Sequence, residues 1–234
     1  MLKKTTVAIV LASLVLAPAF AQGTDGKGKQ RKGYGGGIAE LLETLPLQNI
    51  DAQEKTDLLF IREEEKLARD VYLTLYRHWM KPIFSNIALS EQRHMDAVKL
   101  LLDRYKIADP VKDNSVGAFT NPEFTRLFAE LVAAGKVSFE AALRTGAGIE
   151  EKDIRDLQVF ISRTDNLDLR TVYQNLMKGS RNHLRAFVWQ LEALGVTYLA
   201  QILSPAELEA IVSKPIEQGL SDAKGGPVFG NTGW

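Results

Sequence analysis

Cysteine is absent from the 234 residues. That absence excludes disulfides, thiol nucleophiles, zinc fingers and thiolate-held clusters. Any bound metal must therefore sit on Asp, Glu, His or backbone oxygen, the ligands of hard and borderline ions. A charge surplus is missing as well, because 29 Lys and Arg face 29 Asp and Glu. A nucleic-acid binder needs excess basic charge to displace counterions from phosphate, so nucleic acid is not an expected partner. No alternating strand pattern, nucleophile triad or phosphate loop is visible. Gly146-Ala147-Gly148 is too short for a phosphate loop and no strand precedes it.

The ends of the chain differ from its middle. Lys3 and Lys4 precede an apolar run from Val7 to Leu16, and Ala19-Phe20-Ala21 has the small-residue form of a cleavage site. The run is too short for a comfortable membrane span. Residues 1–21 are thus expected to be a signal peptide cut after Ala21, leaving a periplasmic or secreted protein with no stable membrane insertion. Residues 22–49, rich in Gly and Lys with a basic stretch at 26–33, read as a flexible neck. Residues 50–203 carry the helical core. Residues 204–234 read as a short helix followed by a disordered Gly-rich tail.

The core follows a helical period, and the expected fold is all-α. Asp51 with Glu54 forms a capping box before an apolar stripe from Leu58 to Leu75. A second helix reaches Tyr105 and begins either at Pro82 or after Ser85. A long crossover from Lys106 to about Val137 follows, with a short helix opened by Asn121-Pro122. The third helix contains Ile149 to Ile161 and starts near Ser138 or after Gly148. The fourth runs from about Asp168 to Leu194 and is stopped by Gly195. Ser204-Pro205-Ala206-Glu207 opens a last short helix closed by Pro215.

Advancing about 100° per residue shows what faces inward. On the second helix Glu91 and His94 share a face with Met95, Val98, Leu101 and Leu102. On the third, Glu150 and Asp153 join Ile149, Leu157 and Phe160, while Glu151, Arg155 and Asp156 point away. On the fourth, Ser180 and His183 join Leu176, Phe187 and Leu191. On the first, the stripe centres near Glu64 with Glu65 at its edge and Glu63 outward. Burying a lone carboxylate is costly unless it is paired or bound to metal. Four helices doing so together call for a common cause, and a cation supplies one. Glu150 and His183 lie symmetrically about the Asn166 turn, and Glu65 and Glu91 about His78, so antiparallel packing places all four in one layer. This symmetry favours a helix break near residues 78–82. The bland alternatives are an acidic first turn for Glu150 and Asp153, a core histidine for His183 and a solvated run for residues 63–65.

Glu91-Gln92-Arg93-His94, Glu65 with Ala68 and Tyr72, Glu150 and Asp153 resemble the ligand pattern of the ferritin-like, rubrerythrin-like di-iron carboxylate superfamily. More closely, Arg62-Glu63-Glu64-Glu65-Lys66-Leu67-Ala68-Arg69-Asp70-Val71-Tyr72, Ser90 to Met95 and Gly179 to Arg185 resemble a bacterial and archaeal ferritin-like family known as a domain of unknown function. The resemblance covers roughly residues 50–203. It implies a ferritin-like four-helix bundle with a long crossover between the second and third helices and short extra helices. It also implies a metal site drawn from Glu64 or Glu65, Glu91, His94, Glu150, Asp153 and His183. Iron, one or two ions per chain, is the implied metal, with manganese as the alternative. Oxygen or peroxide is the implied co-reactant, and a homodimer is compatible with the pattern. One position departs: Ser180 stands where the superfamily carries a bridging Glu. Either Asp153 compensates or the second metal position is weak or absent. The readings that follow are a di-iron or mixed-metal redox protein, a non-catalytic metal-sequestering protein, or a metal-free helical interaction module.

Overall fold

A computed structural model of the chain describes residues 34–228. The expected signal peptide, the basic stretch at 26–33 and the last residues of the tail lie outside them. Among the described residues the fold is all-α, with seven helices and one isolated β-bridge between Ser221 and Pro227. The helices are α1 (Tyr34–Glu43), α2 (Ala52–Trp79), α3 (Pro82–Arg104), α4 (Pro122–Gly135), α5 (Phe139–Arg163), α6 (Leu167–Ala193) and α7 (Pro205–Val212). None is long and apolar enough to cross a membrane.

Local chemistry sets the boundaries. Asp51 and Glu54 exchange side-chain-to-backbone hydrogen bonds in a full capping box at the start of α2. Met80 in the left-handed region, with φ 53°, ends α2, and Pro82 opens α3 one residue after its N-cap Lys81. The break thus falls at residues 80–81, and Ser85 lies inside the helix. The side chain of Asn121 caps α4, and that of Ser138 caps α5. Ser204 and Glu207 form a second capping box on α7. Gly195, with φ 75°, follows the end of α6 in the conformation that glycine adopts without strain.

The long helices pair as α2 with α3 and α5 with α6. The pairs meet through α3 against α6 and α2 against α5, and α4 lies between α2 and α5. Two apolar clusters fill the interior. One contains Val71, Leu75, Phe84, Ile87, Leu143, Ala147, Phe187 and Leu191. The other contains Leu58, Ile61, Val98, Leu101, Leu157, Phe160, Val172 and Leu176. Each long helix passes from one cluster to the other. Polar residues stand at or near each crossing: Glu65 on α2, Glu91 and His94 on α3, Glu150 and Asp153 just before it on α5, Ser180 and His183 on α6.

Three expectations need correction. The neck does not extend to residue 49. Residues 34–43 form α1, whose Ile38 and Leu42 are buried in the second cluster beside α3. A short apolar pair at helical spacing suffices to dock a segment whose composition alone reads as linker. The tail is also ordered through residue 228. Asn175 and Lys178 of α6 hold the backbone at Gly219 and Ser221, and Arg181 and Arg185 pair with Glu217.

The third correction concerns α2. Every residue from Ile61 to Tyr72 is buried, including the charged run Arg62-Glu63-Glu64-Glu65-Lys66. The crossover loop covers this face and satisfies it. Arg62 pairs with Asp109 and donates to the Met95 carbonyl, and Glu63 accepts from the backbone N–H groups of Thr120 and Asn121. Lys66 bonds Asp70 at 2.6 Å and the Ser115 carbonyl at 2.8 Å, and sits 4.5 Å above the Phe119 ring. Asp70 also accepts from Arg69 and from the Gly117 N–H. Breaking such a pair leaves an uncompensated buried charge, which costs about 3–5 kcal/mol. Asp70→Ala is therefore expected to destabilise the fold by that amount in urea unfolding. Asp103→Ala, which removes an exposed partner of Lys99, should cost under about 1 kcal/mol. Equal effects of the two substitutions would contradict this account.

Candidate metal centre

The polar layer is built from one position on α2 and from a pair one turn apart on each of α3, α5 and α6. Glu65 comes from the middle of α2, and Glu91 and His94 from successive turns of α3. Glu150 and Asp153 have the same three-residue spacing on α5, as do Ser180 and His183 on α6. Glu65, Glu91, Glu150 and Asp153 are at most 6% exposed, and the histidines at most 7%.

Glu91 is the centre of the arrangement. One carboxylate oxygen lies 2.7 Å from His94 Nδ1 and the other 2.8 Å from His183 Nδ1. His94 Nδ1 is also 3.1 Å from Glu65, and His183 Nδ1 is 3.4 Å from Glu150. The two imidazoles stack with centroids 5.5 Å apart and 27° between planes. The result is two ligand groups of the same composition, Glu65–Glu91–His94 and Glu91–Glu150–His183. In each, the candidate ligand atoms lie within 4.8 Å of one another. Glu91 belongs to both.

Hydrogen bonding within the layer is incomplete. Glu65 Oε1, Glu91 Oε1, Asp153 Oδ1, Glu64 Oε2 and His183 Nδ1 are buried without a hydrogen-bond partner. Glu91 Oε1 and His183 Nδ1 approach to 2.8 Å without the alignment of a hydrogen bond. An unsatisfied buried acceptor costs roughly 1–3 kcal/mol, more when charged.

Electrostatics reflect the crowding. Burial would raise the Glu91 carboxyl, but His183 and His94 beside it hold it well below the carboxylate range. Burial pushes Glu65 up to about 8, with Glu91 adding to the rise and His94 opposing it. Glu150 is raised by burial and by the charge of Glu91. Burial, Glu65 and Glu150 lift Asp153 well above its ordinary value. Burial would lower both imidazoles, yet Glu65 and Glu91 raise His94, and Glu91 and Glu150 raise His183 to about 10.

Ser180 meets the Asp153 carboxylate rather than leaving a gap. Its hydroxyl donates to Asp153 Oδ2 and lies 3.0 Å from the Leu176 carbonyl. Asp153, one turn beyond Glu150, thus reaches across to α6. Glu64 is buried but apart from the histidines. Lys152 lies 3.8 Å away, and burial with Asp153 and Asp156 raises its carboxyl. Of the two neighbours, Glu65 is the one placed against His94.

Two residues gain a role that periodicity alone does not reveal. Tyr72, which reads as a core residue with a polar tip, donates its hydroxyl to Glu150 Oε1, with the Gly146 carbonyl 3.3 Å away. Burial and the Glu150 charge raise that phenol well above its ordinary range. Gly179 is the second. A Cβ there would lie 2.3 Å from His94 Nε2, so only glycine lets the imidazole lie against α6 with Nδ1 toward the carboxylates. A glycine inside an unbroken helix is the signal that marks such a position. Glu151 does point away from the layer, yet it is fully buried. It accepts from the Tyr198 hydroxyl and the N–H groups of Gln201, Ile202 and Leu203, fixing the loop after α6.

Two outcomes follow. Gly179→Ala should displace the His94 ring, costing about 1–3 kcal/mol by overpacking, and should shift the His94 imidazole resonances in NMR. Unchanged resonances would contradict the contact. In a metal-free sample, His183 contributes stability that is complete below its unfolded value of 6.5 and lost as pH rises through about 10. Glu65, also raised, loses its contribution between 4.5 and about 8. Thermal melts in chelator should therefore show Tm falling from pH 5 toward pH 10. A flat or rising profile would contradict the charge arrangement.

The family model described as "Uncharacterized protein domain (DUF2202)" matches residues 54–215, which include the whole layer. The uncharacterized protein MJ0754 of Methanocaldococcus jannaschii is 54% identical over 184 residues, covering 79% of this chain and 100% of the relative. The crystal structure of hypothetical protein MJ0754 from Methanococcus jannaschii aligns with a TM-score of 0.73 at 55% identity, covering 74% of this chain and 99% of that one. By the extent of these matches, the chain belongs to the DUF2202 family.

Proposed function

We propose that the four long helices form a ferritin-like bundle whose polar layer holds a pair of metal ions, iron foremost and manganese as the alternative. In this reading the protein works as a redox centre acting on Fe(II), oxygen or peroxide. The observation that carries it is the sharing of Glu91 by two ligand groups of identical composition, with buried carboxylate oxygens left unpartnered. The donor set fits. Mixed carboxylate and imidazole ligands suit iron or manganese. Glu65, Glu91 and His94 would hold one ion, and Glu91, Glu150 and His183 the other.

A bound iron pair supplies one-electron chemistry toward oxygen or peroxide. The chain's own residues prepare the setting. Glu91 lies against Nδ1 of both imidazoles, and Gly179 leaves room for the His94 ring. Tyr72 keeps a proton at its hydroxyl oxygen and steers Glu150. The Ser180 hydroxyl fixes Asp153. Apolar clusters flank the layer along the bundle on both sides. The signal sequence read in residues 1–21 supports action outside the cytoplasm.

A metal-free module is the second reading, favoured by one observation: each histidine already lies within 2.8 Å of a carboxylate. Elemental analysis of protein purified without chelator separates the two. The expected result is up to two ions per chain in the unaltered protein. Glu91→Ala should lose both, because the two groups share that residue, whereas Glu65→Ala should lose one in preference. Absence of metal from the unaltered protein, after loading with Fe(II) or Mn(II), would overturn the proposal.

A further inference from the structure

A cavity of about 840 Å³ adjoins the polar layer. It lies under α4, along the seam between α2 and α5. Its inner wall carries Glu64, Glu65, Glu91, Glu150 and Asp153, and its length is lined by apolar side chains that include Phe60, Leu67, Phe124, Leu127, Leu131 and Ile149. Three features make it a built site rather than a packing fault. Small residues at one-turn spacing on α5 (Ala141, Thr145 and Gly148) keep its wall open. The Glu151 carboxylate pins the 201–203 backbone, from which Gln201 and Ile202 form part of the rim. Unpartnered oxygens of Glu64, Glu65 and Asp153, each at least nine-tenths buried, belong to residues of the inner wall.

Size and charge select the occupant. Oxygen or peroxide needs little more than the ~30 Å³ share of one water. The observed volume instead falls in the ~300–1,000 Å³ range of pockets for organic small molecules. A sugar or nucleotide would leave its polar groups unpaired against Phe, Leu and Ile. An anionic head group finds no free partner either. Arg144 at the rim is bonded to Glu140 at 2.8 Å, Lys152 is bonded to Asp156, and the inner wall is acidic. We propose that this cavity binds one uncharged, hydrocarbon-rich small molecule, with one end against the carboxylate–histidine layer. Binding stands on the cavity alone, whereas a role for that molecule as the redox substrate rests on the metal reading above.

The test uses N-phenyl-1-naphthylamine, an uncharged fluorophore, with 1-anilinonaphthalene-8-sulfonate as its anionic counterpart. The neutral probe should bind saturably at one per chain, be displaced by 1-dodecanol, and bind about tenfold or more tightly than the sulfonate. The atoms nearest a Cβ at Gly148 would be Gln201 side-chain atoms, 3.6 Å or more away, so Gly148→Leu can enter the cavity without a Cβ clash against backbone. Gly148→Leu and Thr145→Phe should each weaken the neutral probe about tenfold or more while circular dichroism and metal content stay unchanged. If one of them fails to fold, the other decides. No saturable binding, preference for the sulfonate, or indifference to the folded variants would overturn the proposal. Metal is assayed on the same samples. Probe binding without metal sustains this inference and defeats the metal reading; metal without probe binding does the reverse.

Discussion

The structure turns on one carboxylate placed between two imidazoles. Glu91 sits within 2.8 Å of both His94 and His183, in a layer where water is nearly excluded. Charges in such a setting must be neutralised locally, by protons or by cations, because transfer from water costs several kcal/mol per ion. Every long helix accordingly contributes a polar group at the same height, and every helix changes apolar cluster there. The antiparallel register, the turn at residues 80–81 and the turn at Asn166 all serve to bring these groups level.

A second buried charge system supports the first. Arg62, Glu63, Lys66, Arg69 and Asp70 face the crossover loop and are satisfied by its backbone and by Asp109. The loop leads directly into α4, which lies over the α2–α5 seam and lines the large cavity. One run of α2 thus presents the carboxylate–histidine layer on one side and the loop anchor on the other. Almost no surface remains for solvent along two and more turns of helix, which accounts for a charged run being wholly interior.

Much of the fold was legible because its signals are local. Capping boxes at Asp51 and Ser204, the Asn121-Pro122 start and the Gly195 stop act over three or four residues, and each lies where its motif stands. The candidate ligands were legible because helical phase and symmetry about two turns are arithmetic on the sequence. Glu65 could not be separated from Glu64 in this way, since adjacent residues differ by about 100° and the stripe is broad. Burial of Glu63, Lys66 and Glu151, the docking of α1 and the ordered tail depend on partners far along the chain, so no local pattern discloses them. The Ser180 departure was visible, but its consequence needed the reach of Asp153 across from α5.

The most direct measurement is anomalous X-ray scattering at the iron edge, from crystals grown after anaerobic Fe(II) loading. The account predicts two peaks on opposite sides of the Glu91 carboxylate, one beside Glu65 and His94 and the other beside Glu150 and His183. No peak in the layer, or a single ion that leaves Glu91 unligated, would contradict it.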